Sequence, residues 1–235
     1  MNNIDFYAIA NDHFNKYCEM IKFKTREEWL KLRMLGIGGS DTSCILGHNK
    51  YRNAPDVYKS KLENIEQEES YAIAYGNYFE SILFNTFKWK YSSIYETLDY
   101  KDVLFRNYFV PFFQASVDGV LIDKRTNLVG LLEIKTTQNK KTKWYYSDGS
   151  KGIPQEYIDQ AIHYFITLNV DFVVFYVQVD TQNRDDIDRD SEILKPRRIN
   201  KEDVLEYMEI VQKEEIDFWN NYVLKKIEPP KRVAY

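Results

Sequence analysis

A mixed α/β layered architecture is the fold class this sequence predicts. Three observations predict it. Helical apolar spacing runs through much of 25–91 and again through 200–226. Apolar strand-like runs fill 92–137. A helical pattern at 154–169 then separates those runs from the buried-strand signature "DFVVFYVQVD". The order is helices, strands, helix, strand.

Taken in turn, "TREEWLKLRM" (25–34) has helix-forming composition, with Thr25 as N-cap, and stops at the glycines of "GIGGSD". A second short helix is expected from Ser40 or Asp41, and a third over "APDVYKSKLE". "SYAIAYGNYFESILFNTFKWKY" (70–91) is long enough for a substantial helix, with Ile73, Phe79, Ile82, Leu83 and Phe87 mostly on one side. Strands follow in "SSIYETLD", "VLFRNYFVPFFQASVDG" and "LVGLLEIKTT", the last two separated by the turn-like "DKRTN". "PQEYIDQAIHYFITLN" (154–169) reads as a helix with Pro154 near its first turn. "NKEDVLEYMEIVQKEEIDFWNNYVLKK" closes the chain as one long amphipathic helix, turning Val204, Met208, Val211, Trp219 and Tyr222 inward.

At 235 residues and 44% hydrophobic composition the chain can bury its own core. A single domain is expected, with a helical part over about 1–91, a core over about 92–180 and a closing helix over about 200–226. The longest apolar run is too short to span a bilayer, and no signal-peptide pattern opens the chain, so a soluble, cytoplasmic protein is expected. Cys18 and Cys44 cannot supply the thiolates of an iron-sulfur cluster or structural zinc, and His13, His48 and His163 lack metal-ligand spacing. The net charge of −4 hides an asymmetry. Segments 63–69 and 180–192 each carry −4, so the remainder stands at +4, and 131–151 is locally +3. That basic segment makes a nucleic-acid partner admissible, although a lysine run by itself is more often a solvated loop.

The chemistry-bearing feature is "QASVDGVLIDKRTNLVGLLEIKTT" (114–137). Side chains alternate faces along a strand, so Glu133 and Lys135 share one face while Leu132 and Ile134 take the other. Asp118 is read at the end of an apolar strand, with Glu133 fifteen residues later on its hairpin partner. Glu-x-Lys alone is more often an exposed ion pair. The apolar flanks, the preceding Asp-Gly and the following lysines argue against that here. Paired carboxylates suit Mg²⁺ or Mn²⁺, with the Ile134 carbonyl able to complete the ligand set and a retained water as nucleophile. Lys135 beside carboxylates should stay protonated and orient the attacking hydroxide. Like charges ~4 Å apart repel by ~4 kcal/mol at an effective dielectric of 20, which a divalent cation removes.

These residues resemble the Asp...Glu-x-Lys core of the PD-(D/E)xK nucleases. "WLKLRMLGIGGSD", "YGNYFE", "QASVDG", "LEIK" and "YIDQAIHY" stand in the order of the lambda exonuclease and YqaJ-type viral recombinase family, from about Trp29 to about Asp180. The resemblance implies a restriction-endonuclease-like mixed sheet flanked by helices. It implies Asp118, Glu133 and Glu80 around two metal ions, and Tyr157 and Gln160 beside the nucleophile. Arg33, Ser40 and Ser116 would receive a terminal 5′-phosphate, whose charge of about −1.5 to −2 suits an Arg fork plus hydroxyls near a helix N-terminus. Gly38-Gly39 as a plain turn and Ser40 as a plain cap remain open readings, as do a packed Tyr157 and a strand-capping Gln160. Lys140, Lys141 and Lys143 are candidates for DNA-backbone contact. The implied activity is 5′→3′ digestion of one strand from double-stranded DNA ends. A ring-shaped homotrimer and a single-strand-annealing partner in phage recombination go with it. The alternatives are a structure- or site-specific endonuclease of the same superfamily, or a non-catalytic DNA-binding module on this fold.

Overall fold

Residues 4–63, 71–137, 144, 152–180 and 191–232 are described by the computed structural model. Helix α1 (Phe6–Phe14) and strand β1 (Cys18–Lys22) precede α2 (Arg26–Met34), α3 (Gly39–Leu46), α4 (Ala54–Leu62) and the long α5 (Tyr71–Lys90). Strands β2 (Tyr95–Leu98), β3 (Val103–Asn107), β4 (Gln114–Ala115), β5 (Gly119–Asp123) and β6 (Val129–Thr137) follow. Then come α6 (Gln155–Leu168), β7 (Phe172–Asp180), β8 (Ser191–Ile193), β9 (Arg197–Asn200) and α7 (Leu205–Phe218).

The main sheet runs β2-β5-β6-β7-β8, with β9 pairing β7 as well. It is mixed. β5 and β6 form the antiparallel hairpin expected around 123–127, where Asn127 takes the left-handed backbone that closes the turn (φ 59°). β6 and β7 are parallel, joined across α6 as a strand-helix-strand unit. Alternation along β6 sorts its side chains. Leu132 and Ile134 pack with Leu83 and Phe87 of α5, while Leu131 joins Ala161, Ile162 and Phe165 of α6. The sheet is thereby sandwiched between α5 and α6, and Glu133 and Lys135 fall on the α6 face.

Several sequence expectations need correction. The run 103–119 is not one strand. Asn107 Oδ1 accepts the backbone N–H of both Phe109 and Val110, which breaks the run into a turn before Pro111. β3 consequently pairs β1 on one side and β4 on the other in a separate three-stranded sheet, and Asp118 lies just before β5 rather than at a strand's end. Helix α3 starts earlier than Ser40, because Gly38 is its N-cap and the Asp41 carboxylate takes the Gly38 N–H at 3.1 Å. Ile82 of α5 is exposed, one position off the buried stripe of Leu83 and Phe87. The C-terminal helix is compound: a 3₁₀ turn (Lys201–Val204), α7, and a π turn (Trp219–Val223). No helix among the described residues is long and apolar enough to cross a membrane.

Candidate active site

Two strands put the acids together. Gly119 pairs with Leu132 and Val120 with Leu131, so the next register position sets Asp118 opposite Glu133, on the same sheet face. Asp118 departs from the ladder there, and its Oδ2 accepts the Ile134 N–H at 2.6 Å. A strand residue's N–H and C=O point to the same side, so the Ile134 carbonyl also faces the Asp118 side, beyond the end of β5. Lys135 Nζ donates to Glu133 Oε1 at 2.6 Å and lies 5.1 Å from the Tyr157 ring centre, which in turn stacks on Trp144. Gln160 Nε2 donates to the same Glu133 oxygen at 2.7 Å. Tyr157 and Gln160, three apart on α6, therefore both reach the acid and its lysine, and the strand-capping alternative for Gln160 falls away.

Burial and then the Glu133 carboxylate push the Asp118 carboxyl well above the usual range, and Lys135 offsets this only in part. The same two causes, burial and Glu133, raise Glu80. Burial alone would lower Lys135, but Glu133 and Asp118 outweigh it and hold its ammonium above the ordinary lysine value. The cluster is over-negative: three carboxylates share one ammonium. Glu133 Oε2 is buried without a hydrogen-bond partner, a costly arrangement for a carboxylate oxygen unless a cation meets it. This donor set fits a hard divalent ion. The described residues do not hold a ready-made shell, since no three His, Cys, Asp or Glu groups are gathered at coordinating distance.

The cleft that contains these acids, of about 460 Å³, continues to the candidate phosphate residues. It is lined by Glu80, Asp118, Glu133 and Gln160 and also by Arg33, Ser40 and Ser116. Arg33 Nη2 donates to Ser40 Oγ at 2.9 Å, and Trp29 Nε1 donates to Ser116 Oγ at 3.0 Å. Arg33 also lies over the Trp29 ring, 5.0 Å from its centre. Gly39 lets the start of α3 approach α6. A Cβ there would stand 3.0 Å from both Gln160 Cγ and the Tyr164 ring. Every one of Arg33, Glu80, Ser40, Ser116, Asp118, Glu133, Ile134, Lys135, Tyr157 and Gln160 thus belongs to, or directly contacts, one constellation. Lys140, Lys141 and Lys143 lie outside the described residues, as do most of the acidic segments 63–69 and 180–192.

A family model described as "YqaJ-like viral recombinase domain" matches residues 28–170, more than half of the chain. The chain belongs to that family. A relative in Bacillus subtilis (strain 168), "Uncharacterized protein YqaJ", is 29% identical over 206 residues, which cover 85% of this chain and 57% of the relative. The chain therefore spans little more than half the length of that protein. An alkaline exonuclease (LHK-Exo) from Laribacter hongkongensis superposes with a TM-score of 0.59 at 22% identity, covering 86% of this chain and 94% of that one. Its complex with dAMP gives 0.63 at 20% identity over the same shares. The YqaJ-like chain thus has the fold of an alkaline exonuclease, as the sheet topology and the Asp...Glu-x-Lys hairpin indicated.

In and beside this YqaJ-like cleft four residues stand out that sequence reasoning gave no role: Trp29 and Tyr164 line it, and Asp41 and Lys61 lie behind Arg33. Trp29 positions both Arg33 and Ser116. Tyr164 receives the Gln160 amide at 2.7 Å and donates to the Ser116 carbonyl at 3.2 Å, tying the acid cluster to the Ser116 segment. Its i+4 spacing from Gln160 was the signal. Asp41 accepts from Lys61 at 2.7 Å and faces Arg33 and Arg52 at 3.6 and 3.9 Å. Burial would raise the Asp41 carboxyl, but those three cations outweigh it and hold it well below the usual carboxylate range. Asp41 was visible as the last residue of "GIGGSD"; Lys61 carried no local signal, because its partner lies on another helix.

Proposed function

We propose that this chain is a divalent-metal-dependent nuclease that digests one strand of double-stranded DNA from its ends, 5′ to 3′, leaving 3′ single-stranded tails for recombination. One observation carries the reading: the acid cluster and the Arg33-Ser40-Ser116 group line the same cleft. An internal phosphodiester carries a single charge, whereas a terminal phosphate carries about −1.5 to −2 at pH 7. A guanidinium flanked by two hydroxyls therefore favours the terminus, and a strand held by its 5′ end presents the adjoining linkage to the acids.

Asp118, Glu133, Glu80 and the Ile134 carbonyl would hold Mg²⁺ or Mn²⁺. When bound, such ions supply Lewis-acid stabilisation of the scissile phosphate and an acidified water. Lys135, kept cationic by Glu133 and Asp118, orients the attacking oxygen and stabilises charge on the phosphate. Gln160 fixes the Glu133 carboxylate from α6, and the Tyr157 ring packs against Lys135 and limits its rotamers. The fold and the family support this reading, and the structural neighbour from Laribacter hongkongensis is itself an alkaline exonuclease. A homotrimer and a single-strand-annealing partner belong to the same proposal and rest on the family alone.

The test offers linear duplex with a 5′-phosphate, the same duplex with a 5′-hydroxyl, and closed circular duplex, each with Mg²⁺. Progressive release of mononucleotides from the first, much slower from the second and absent from the third, is expected. Nicking of the circle would favour a site-specific endonuclease instead, and no release from any substrate would favour a non-catalytic binding module.

A further inference from the structure

We infer that a second cavity, sharing helix α2 as a wall with the candidate active-site cleft, is a nucleotide site that takes a phosphate and a base together. It measures about 610 Å³, within the roughly 300–1,000 Å³ typical of small-ligand sites. Arg26, Trp29 and Arg33 of α2 line both cavities, whereas Leu30 and Met34 line only the second. Its other walls come from the α3–α4 turn (Tyr51, Arg52), from α4 (Lys59, Ser60, Lys61) and from α5 (Ile73, Asn77).

Charge and surface together select the ligand class. Asp41 is one carboxylate facing three cations, a local surplus of two positive charges, and the lining as a whole keeps that surplus because Arg26 and Lys59 stand against Asp56 and Glu63. The Asp41–Lys61 pair is closed off, with side chains 2% and 3% exposed, and neutralises itself. The surplus therefore sits on Arg33 and Arg52, whose side chains remain 27% and 37% exposed. Two half-open guanidiniums suit a phosphate. Beside them, Trp29, Tyr51, Leu30 and Met34 offer flat and aliphatic surface, and Tyr51 is 93% exposed, free to close on a ring. An inorganic anion would use only the cations, and an apolar ligand would leave them unpaired. A nucleotide uses both. Two sources share that chemistry: an unpaired nucleotide of the strand that is not cut, and the mononucleotide released by cutting. Which of the two supplies the ligand rests on the nuclease reading; the site itself does not.

The experiment measures binding of (dT)₄ and of dTMP to the full chain in EDTA, where no hydrolysis occurs. Ser60→Phe fills the cavity without touching the lining of the catalytic cleft, and Arg52→Gln removes one of the surplus charges. At least tenfold weaker binding in Ser60→Phe is expected, with a salt slope shallower by about 0.7 in Arg52→Gln for (dT)₄. Displacement of (dT)₄ by dTMP would identify the released nucleotide as occupant; binding of (dT)₄ alone would identify the uncut strand. Unchanged binding of both ligands in a folded Arg52→Gln, or no binding of either ligand to the wild type, overturns the site. Release of nucleotides from duplex is scored separately. Binding in this cavity by a chain that digests nothing would overturn the nuclease reading and leave the cavity assignment standing.

Discussion

The buried Glu133 Oε2, without a hydrogen-bond partner, is the residue-scale detail on which the proposed metal binding turns, because a cation there would satisfy it and relieve the crowding with Asp118. Mg²⁺ or Mn²⁺ is expected to raise the melting temperature of the wild type, and Asp118→Ala to lose that rise, as measured by differential scanning fluorimetry. Equal rises in both proteins would remove Asp118 from the site. Replacing Lys135 by Ala should lower the rate of nucleotide release by about 10²-fold or more while DNA binding in EDTA changes by severalfold at most, since in the proposed mechanism the lysine acts on the reacting phosphate. A different buried pair sets a pH dependence of stability. His163 Nδ1 meets Glu215 Oε1 at 2.8 Å, Nε2 meets the Gln114 carbonyl at 2.9 Å, and Thr42 donates to the same Glu215 oxygen. A carboxylate and a carbonyl both accept, so the charged imidazole, which donates from both ring nitrogens, is the form that satisfies the two together. Burial would lower its pKa, but Glu215 outweighs burial and raises it above 6.5. Stability from this pair is therefore full below about pH 6.5 and falls as pH rises through the higher folded value. Thermal melts from about pH 6 to 9 should show that fall in the wild type and lack it in His163→Gln. Asp118, Glu133 and Lys135 were legible from alternation in "LLEIK" and the nearby Asp-Gly, whereas Glu80 came only from the family resemblance of "YGNYFE". The His163–Glu215 pair was not, because its partners lie 52 residues apart on different helices.

At the scale of elements, the long periodic segments were readable and the short ones were not. Helices α2, α4, α5 and α6 and strands β6 and β7 carry enough repeats of their period to declare themselves. β1, β8 and β9, of five, three and four residues, are too short to show a period and exist through pairing with β3 or β7. The mistaken single strand over 103–119 has the same origin: apolar composition is continuous there, and only the Asn107 side chain interrupts it. Close packing between elements supplies a sharp test. A Cβ on Gly130 of β6 would stand 2.3–2.5 Å from three ring atoms of Phe172 on β7, and that ring is held by Arg198 at 3.7 Å on its face. Gly130→Ala should destabilise by about 1–3 kcal/mol through overpacking, measured by urea unfolding. An unchanged midpoint would mean that β6 and β7 are not in this register.

For the whole molecule, the proposed function joins hydrolysis and end recognition in one cleft, which α2, α3 and Ser116 line together with the acids of the β5–β6 hairpin and α5 and with Gln160 of α6. The average charge of −4 said nothing of this, since the surplus positive charge is local to Asp41 and its three cations. The most direct test is the ratio of initial digestion rates on 5′-phosphorylated and 5′-hydroxyl linear duplex, compared between the wild type and Arg33→Gln. One charge-assisted hydrogen bond is worth about 1.5–3 kcal/mol, or roughly 10- to 150-fold. The wild-type ratio should lie in that range and fall to about one in Arg33→Gln, with closed circles left intact by both. A wild-type ratio near one, or a high ratio that Arg33→Gln leaves unchanged, would contradict the account.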